Sequence, residues 1–126
     1  MYNIDLNAIQ ETDVYGKWEV QERVVNNSSQ SNLFVDVRVI EIEPNLYRSI
    51  NGKERKGNWT VIREKEVIYN PQLKFFIDGE EVGNAIITRL RYDPIANGNL
   101  YKLTLYFSTG LELVLHRLSV KTKESN

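Results

Sequence analysis

The sequence predicts an all-β fold: a single antiparallel up-and-down β-barrel of about eight to nine strands. Three observations predict it. Apolar residues recur with period two in short runs, the pattern of strands with one face buried, while helical periodicity is scarce. Turn signals, among them Asn51-Gly52, Asp78-Gly79 and Ser108-Thr109-Gly110, separate those runs. Connections are short, with only 26–32 and 93–99 long enough for a Greek-key crossover, so consecutive strands should be neighbours. Closing such a meander into a barrel removes the edges that invite aggregation, with a two-sheet sandwich as the alternative architecture.

The elements follow in order. Residues 17–25 form the first strand, and the Asn and Ser side chains of 26–32 favour a turn over ladder pairing. A second strand is expected over 33–39, with Leu33, Val35, Val37 and Val39 on the inner face and Asp36 and Arg38 outside. Pro44-Asn45 breaks the chain, and 46–50 leads into Asn51-Gly52, a pair that accepts the positive φ of a type I′ hairpin. Strands at 57–63 and 66–69 precede the Asn70-Pro71 break, where proline lacks a ladder donor. The run 73–77 ends at Asp78-Gly79, 83–92 is one long strand, and 93–98 is a loop. Strands 100–107 and 111–119 close the chain, and 121–126 is a frayed tail.

At 126 residues the chain is expected to be one domain, 1–126, able to bury about two thirds of its unfolded surface. Sixteen basic and seventeen acidic side chains leave a net charge of −1, so no global field draws the protein to nucleic acid or to an anionic membrane. Without cysteine there is no disulfide, thiolate nucleophile or cysteine metal site, and the compartment is left open. Met1 to Leu6 shows neither a basic n-region nor an apolar h-region, and no run approaches the ~20 apolar residues of a membrane helix. A soluble, cytoplasmic chain is expected, or an exported one whose signal peptide has been trimmed.

The segment Asp13-Val14-Tyr15-Gly16-Lys17-Trp18, at the head of the first strand, resembles the Gly-x-Trp signature of the lipocalin-like (calycin) β-barrels, including small bacterial lipocalin-like domains of about this length. In that superfamily an arginine near the end of the last strand packs over the signature tryptophan. Here Arg117 shares a face with Leu111, Leu113 and Leu115 and matches that position. A guanidinium stacked on an indole can still donate to nearby carbonyls, which suits the sealing of a barrel end. The resemblance implies a helical turn over 4–11 plugging the barrel base, with Leu6 and Ile9 pointing in. It also implies a small hydrophobic or amphipathic molecule in the lumen. Further motifs of large secreted lipocalins, and their cysteines, have no counterpart here.

Little catalytic equipment is evident. His116 is the only histidine, lies on the outer face by alternation, and has no acid or nucleophile partner in sequence, so it reads as a solvated residue. The carboxylates Glu41 and Glu43, Glu64 and Glu66, and Glu80 and Glu81 lack opposed-pair or calcium-loop spacing, and no metal or cofactor is expected. The run 53–56 near Trp59, and Arg89 and Arg91 with Tyr92, Tyr101 and Tyr106, combine charge with rings as a nucleic-acid surface does. Interleaved acids make a polar outer face the ordinary account.

Arg89 and Arg91 share a face with Ala85 and Ile87; if that face looks inward, a buried arginine requires an anion. If Ile86, Thr88 and Leu90 look inward, both arginines are solvated, which the cost of burying charge favours. The interior is expected to include Val20, Val35, Val37, Trp59, Val61, Phe75, Leu103, Leu105, Leu113 and Leu115. A ligand in the lumen would meet Val37, Trp59, Val61, Phe75, Arg89, Leu103 and Leu113, while Gly16, Trp18 and Arg117 form the structural signature.

The leading expectation is therefore a non-enzymatic domain binding a small hydrophobic ligand in the lumen. The alternative is a side-chain-filled barrel acting through its surface or by homo-oligomerisation. A barrel of about eight strands permits either.

Overall fold

Eight strands close on themselves in the computed structural model, which describes residues 2–26, 32–62 and 70–120. They are β2 (Gly16–Val25), β3 (Val39–Glu43), β4 (Leu46–Ile50), β5 (Glu54–Ile62), β6 (Gln72–Ile77), β7 (Glu80–Ile95), β8 (Gly98–Phe107) and β9 (Leu111–Val120). Each pairs antiparallel with the next, and β9 returns to pair with β2. A short extra strand, β1 (Tyr2–Asn3), lies antiparallel on β7. The expected meander is thus a closed barrel. The expected strand at 66–69, the residues Glu64 and Glu66, and the tail 121–126 lie outside the described residues. No described helix is long and apolar enough to cross a membrane.

The hairpins follow the turn chemistry. Asp78 and Gly79 both adopt positive φ, 51° and 82°, as a type I′ turn demands. Asn51-Gly52 is different: Ile50 pairs with Glu54, so three residues form the loop, with Gly52 at φ 104° and the Asn51 side chain accepting from Lys53 N at 3.3 Å. The expected loop over 93–98 is mostly strand. β7 runs on to Ile95 and turns through two residues into Gly98. Proline is tolerated at position 94 because, beyond Tyr92, one edge of β7 pairs with no described strand.

The second expected strand is a correction. Residues 33–36 form tight turns, with Val35 N donating to Asn32 O and Val37 N to Phe34 O. Asn32 organises them by accepting from Phe34 N through its side chain at 2.8 Å, an Asx turn that competes with strand pairing. The inward spacing becomes three: Phe34 and Val37 are buried, whereas Leu33 and Val35, both expected inside, are 38% and 39% exposed. The N-terminal turn is also split, into 3-10 turns at Leu6–Ala8 and Glu11–Val14, with Ile9 between them and Val14 buried and Leu6 packed against the core.

The interior is one apolar cluster. Trp18, Ile40, Ile42, Tyr47, Trp59, Leu73, Phe75, Leu103, Leu105, Phe107, Leu113 and Leu115 project into it from the strands, joined by Ile9 and Val14 from the N-terminal turns and Phe34 and Val37 from the loop. Burial of such side chains is the main favourable term in folding.

Candidate functional site

At one barrel end β2 and β9 bring the signature residues together. Gly16 has φ +122°, and a Cβ there would lie 2.6 Å from Arg117 Cδ, so glycine is required both by conformation and by space. The Arg117 guanidinium lies 4.4 Å from the centroid of Trp18 and 4.5 Å from that of Tyr101. It donates to the carbonyls of Asp13 and Tyr15, while Trp18 Nε1 donates to Val14 O at 2.9 Å. Burial pulls the Arg117 pKa below its ordinary value, opposed by Tyr101 and Asp13. The arrangement ties the 3-10 turns to the barrel.

Of the candidate lumen residues, Val37, Trp59, Phe75, Leu103 and Leu113 are buried and Val61 is half-buried against the same cluster. Trp59 satisfies its indole by donating to Glu43 O at 2.7 Å and meets Tyr15 edge-on. At the other end the Phe34 ring sits 4.8 Å from Phe75, 5.1 Å from Phe107 and 6.0 Å from Tyr47. Gly83 makes room for it, since a Cβ there would come within 2.7 Å of Phe34 Cε2. Burial pushes the Tyr47 hydroxyl up to about 12, with Arg55 opposing. The Phe34 loop is fastened at several points: Asn32 Nδ2 donates to Thr109 Oγ1 at 2.7 Å, Arg38 N to Ile50 O at 2.8 Å, and the Arg23 guanidinium to Val37 O. Phe34 was not singled out from sequence because alternation assigned it to the outer face.

Arg89 requires a correction: it is exposed, not in the interior. The register of β7 against β8 shifts between Ile87 and Arg89. Ala85 and Ile87 therefore point in before the bulge and Leu90 after it, leaving Thr88 and Arg89 exposed. Each sequence alternative for this strand holds over half its length, and neither arginine enters the core.

Outside the barrel, Gln21, Glu22, Thr88, Arg89, Arg91, Lys102, Thr104, Glu112, Val114 and His116 line a groove of about 570 Å³ across β7, β8, β9 and β2. Pairing sets Arg91 opposite Lys102 and Lys102 opposite His116, a lateral row of basic side chains. Burial lowers the His116 pKa, Lys102 lowers it further, and Glu22 opposes. Lys102 is 3.9 Å from Asp93. Tyr92 and Tyr101 do not join this row. Tyr92 stacks on Tyr2 at 5.2 Å, and Tyr101 packs under Arg117.

A second groove, of about 400 Å³, crosses β3, β4 and β5 and includes Glu41, Glu43, Arg48 and Lys56. Glu81 pairs with Lys74 at 3.3 Å. Among the described residues no group of three or more His, Asp or Glu is placed to hold a metal ion. Comparison with protein-family models, curated proteins and solved structures finds no match for the chain.

Proposed function

We propose that the chain is a non-enzymatic binding domain whose barrel interior is a packed core and whose ligand or partner contacts are made on the outer surface. The observation that carries this reading is the Phe34 ring, seated among Phe75, Phe107 and Tyr47 where a lumen ligand would need space. Kinship with the lipocalin-like barrels is part of the proposal, supported by Gly16, Trp18 and Arg117 meeting at one barrel end. A second reading, a small hydrophobic or amphipathic ligand in the lumen, is favoured by one fact. Phe34 stands on a loop and not on a strand, so withdrawing that single ring would open space beside Phe75 and Phe107.

Titration with a fluorescent long-chain fatty acid separates the two. The packed-core reading predicts no saturable binding by the wild-type protein and no rise in melting temperature. Stoichiometric binding that quenches the buried tryptophans would instead establish the lumen site.

A further inference from the structure

We propose that the outer groove of β7, β8, β9 and β2 binds the oxyanion of a small polar molecule, of the class of phosphorylated or carboxylated sugars, through Arg89, Arg91 and Lys102. The inference rests on the reading that the protein works through its outer surface, and adds the chemistry of what that surface takes.

Like charges set directly opposite one another on adjacent strands repel, yet Arg91 faces Lys102 across β7 and β8. The β7 bulge adds Arg89 to the same outer groove. Asp93 offsets Lys102 in part. Neither Arg89 nor Arg91 has an ion pair or side-chain hydrogen bond with another described residue. Arg91 Nε is buried with no hydrogen-bond partner among the described residues, although native proteins satisfy nearly all such donors. An oxyanion supplies the countercharge this cluster of Arg89, Arg91 and Lys102 lacks, because guanidinium groups present planar paired donors to phosphate or carboxylate oxygens.

The rest of the lining narrows the ligand. Glu22 and Glu112 are acceptors for hydroxyl groups, and Gln21, Thr88, Thr104 and His116 add further polar groups, with Val114 the one apolar side chain among the described lining residues. A groove of about 570 Å³ lies within the range of small-molecule sites, and its polarity suits a hydroxylated ligand over an apolar one.

The test is NMR titration of the full chain with glucose 6-phosphate, glucuronate, inorganic phosphate and glucose, and with vesicles containing phosphatidic acid. The expected result is saturable amide shifts confined to 88–91, 102–104 and 112–116 with glucose 6-phosphate or glucuronate. Phosphate should act more weakly and glucose not at all. Arg91→Gln and Arg89→Gln should each weaken binding at least about tenfold, the loss of one charge-assisted contact, while Lys74→Gln, outside the groove, leaves it unchanged.

Absence of saturable shifts, equal shifts from glucose, binding only to the vesicles, or indifference to both arginine substitutions would each overturn the proposal. Fatty-acid shifts at the Trp18 and Trp59 indoles would overturn the packed-core reading instead and leave the groove result standing.

Discussion

Replacing Phe34 by alanine removes a ring that is 1% exposed and packs on three other aromatic rings. A buried Phe→Ala change costs about 3–5 kcal/mol through lost transfer energy and the cavity left behind. Phe34 stands on a loop, which relaxes more readily than a paired strand, so the low end applies, about 3 kcal/mol. With an unfolding entropy of about 2.1 cal/mol/K per residue over 126 residues, that loss lowers the melting temperature by about 11 °C. Thermal and urea unfolding followed by circular dichroism measure it. The exposed neighbours supply the contrast: Leu33→Ala and Val35→Ala should each cost no more than about 0.5 kcal/mol. A Phe34→Ala loss below about 1 kcal/mol, or losses at Leu33 and Val35 as large as at Phe34, would refute the three-residue spacing and the plugged barrel end.

Other outcomes follow from the same geometry. Arg117→Ala should destabilise by about 1–3 kcal/mol in urea titration, because it uncovers Trp18 and Tyr101 and leaves the Asp13 and Tyr15 carbonyls without their donor. Gly16→Ala should cost a similar amount, about 2 kcal/mol, from its positive φ and the clash with Arg117 Cδ. If Arg117→Ala is made first, the steric part of that cost should shrink in a double-mutant cycle.

The His116 pKa lies below 6.5 in the folded protein because burial and Lys102 disfavour the imidazolium. The unfolded chain therefore binds more protons in the window between the folded value and 6.5, and the histidine's contribution to stability rises with pH across it. That contribution is fully present above 6.5 and is lost as pH falls through the folded value. His116→Gln should flatten this part of a stability-against-pH curve, and an unchanged slope would contradict the assignment.

The hairpin at Asp78-Gly79 and the long strands β8 and β9 were legible in sequence because their turn residues and alternation agree. The meeting of Trp18 with Arg117 was expected from the resemblance to the lipocalin-like barrels, with strand alternation supplying only the face of Arg117, and the two groups do stack. The 32–38 segment was not. Leu33, Val35 and Val37 mimic a strand's period, and the contacts that favour the turn, the Asn32 side chain bonded to Phe34 N and to Thr109 among them, are tertiary or local side-chain bonds that alternation does not register.

The β7 bulge was hidden for a related reason. An extra residue inverts the inner face part-way along a strand, so reading Arg89 by strict alternation from Ala85 placed it inside. The basic row of Arg91, Lys102 and His116 was illegible because it is created by pairing register, and these residues stand far apart in sequence.

The central claim, that the interior is filled by the protein's own side chains, is tested most directly by native mass spectrometry of the protein purified from the cells that make it. The account predicts the mass of the polypeptide with no apolar molecule bound. A stoichiometric lipid that co-purifies with the wild-type chain, and whose occupancy changes on substitution of Phe75 or Leu103, would contradict it.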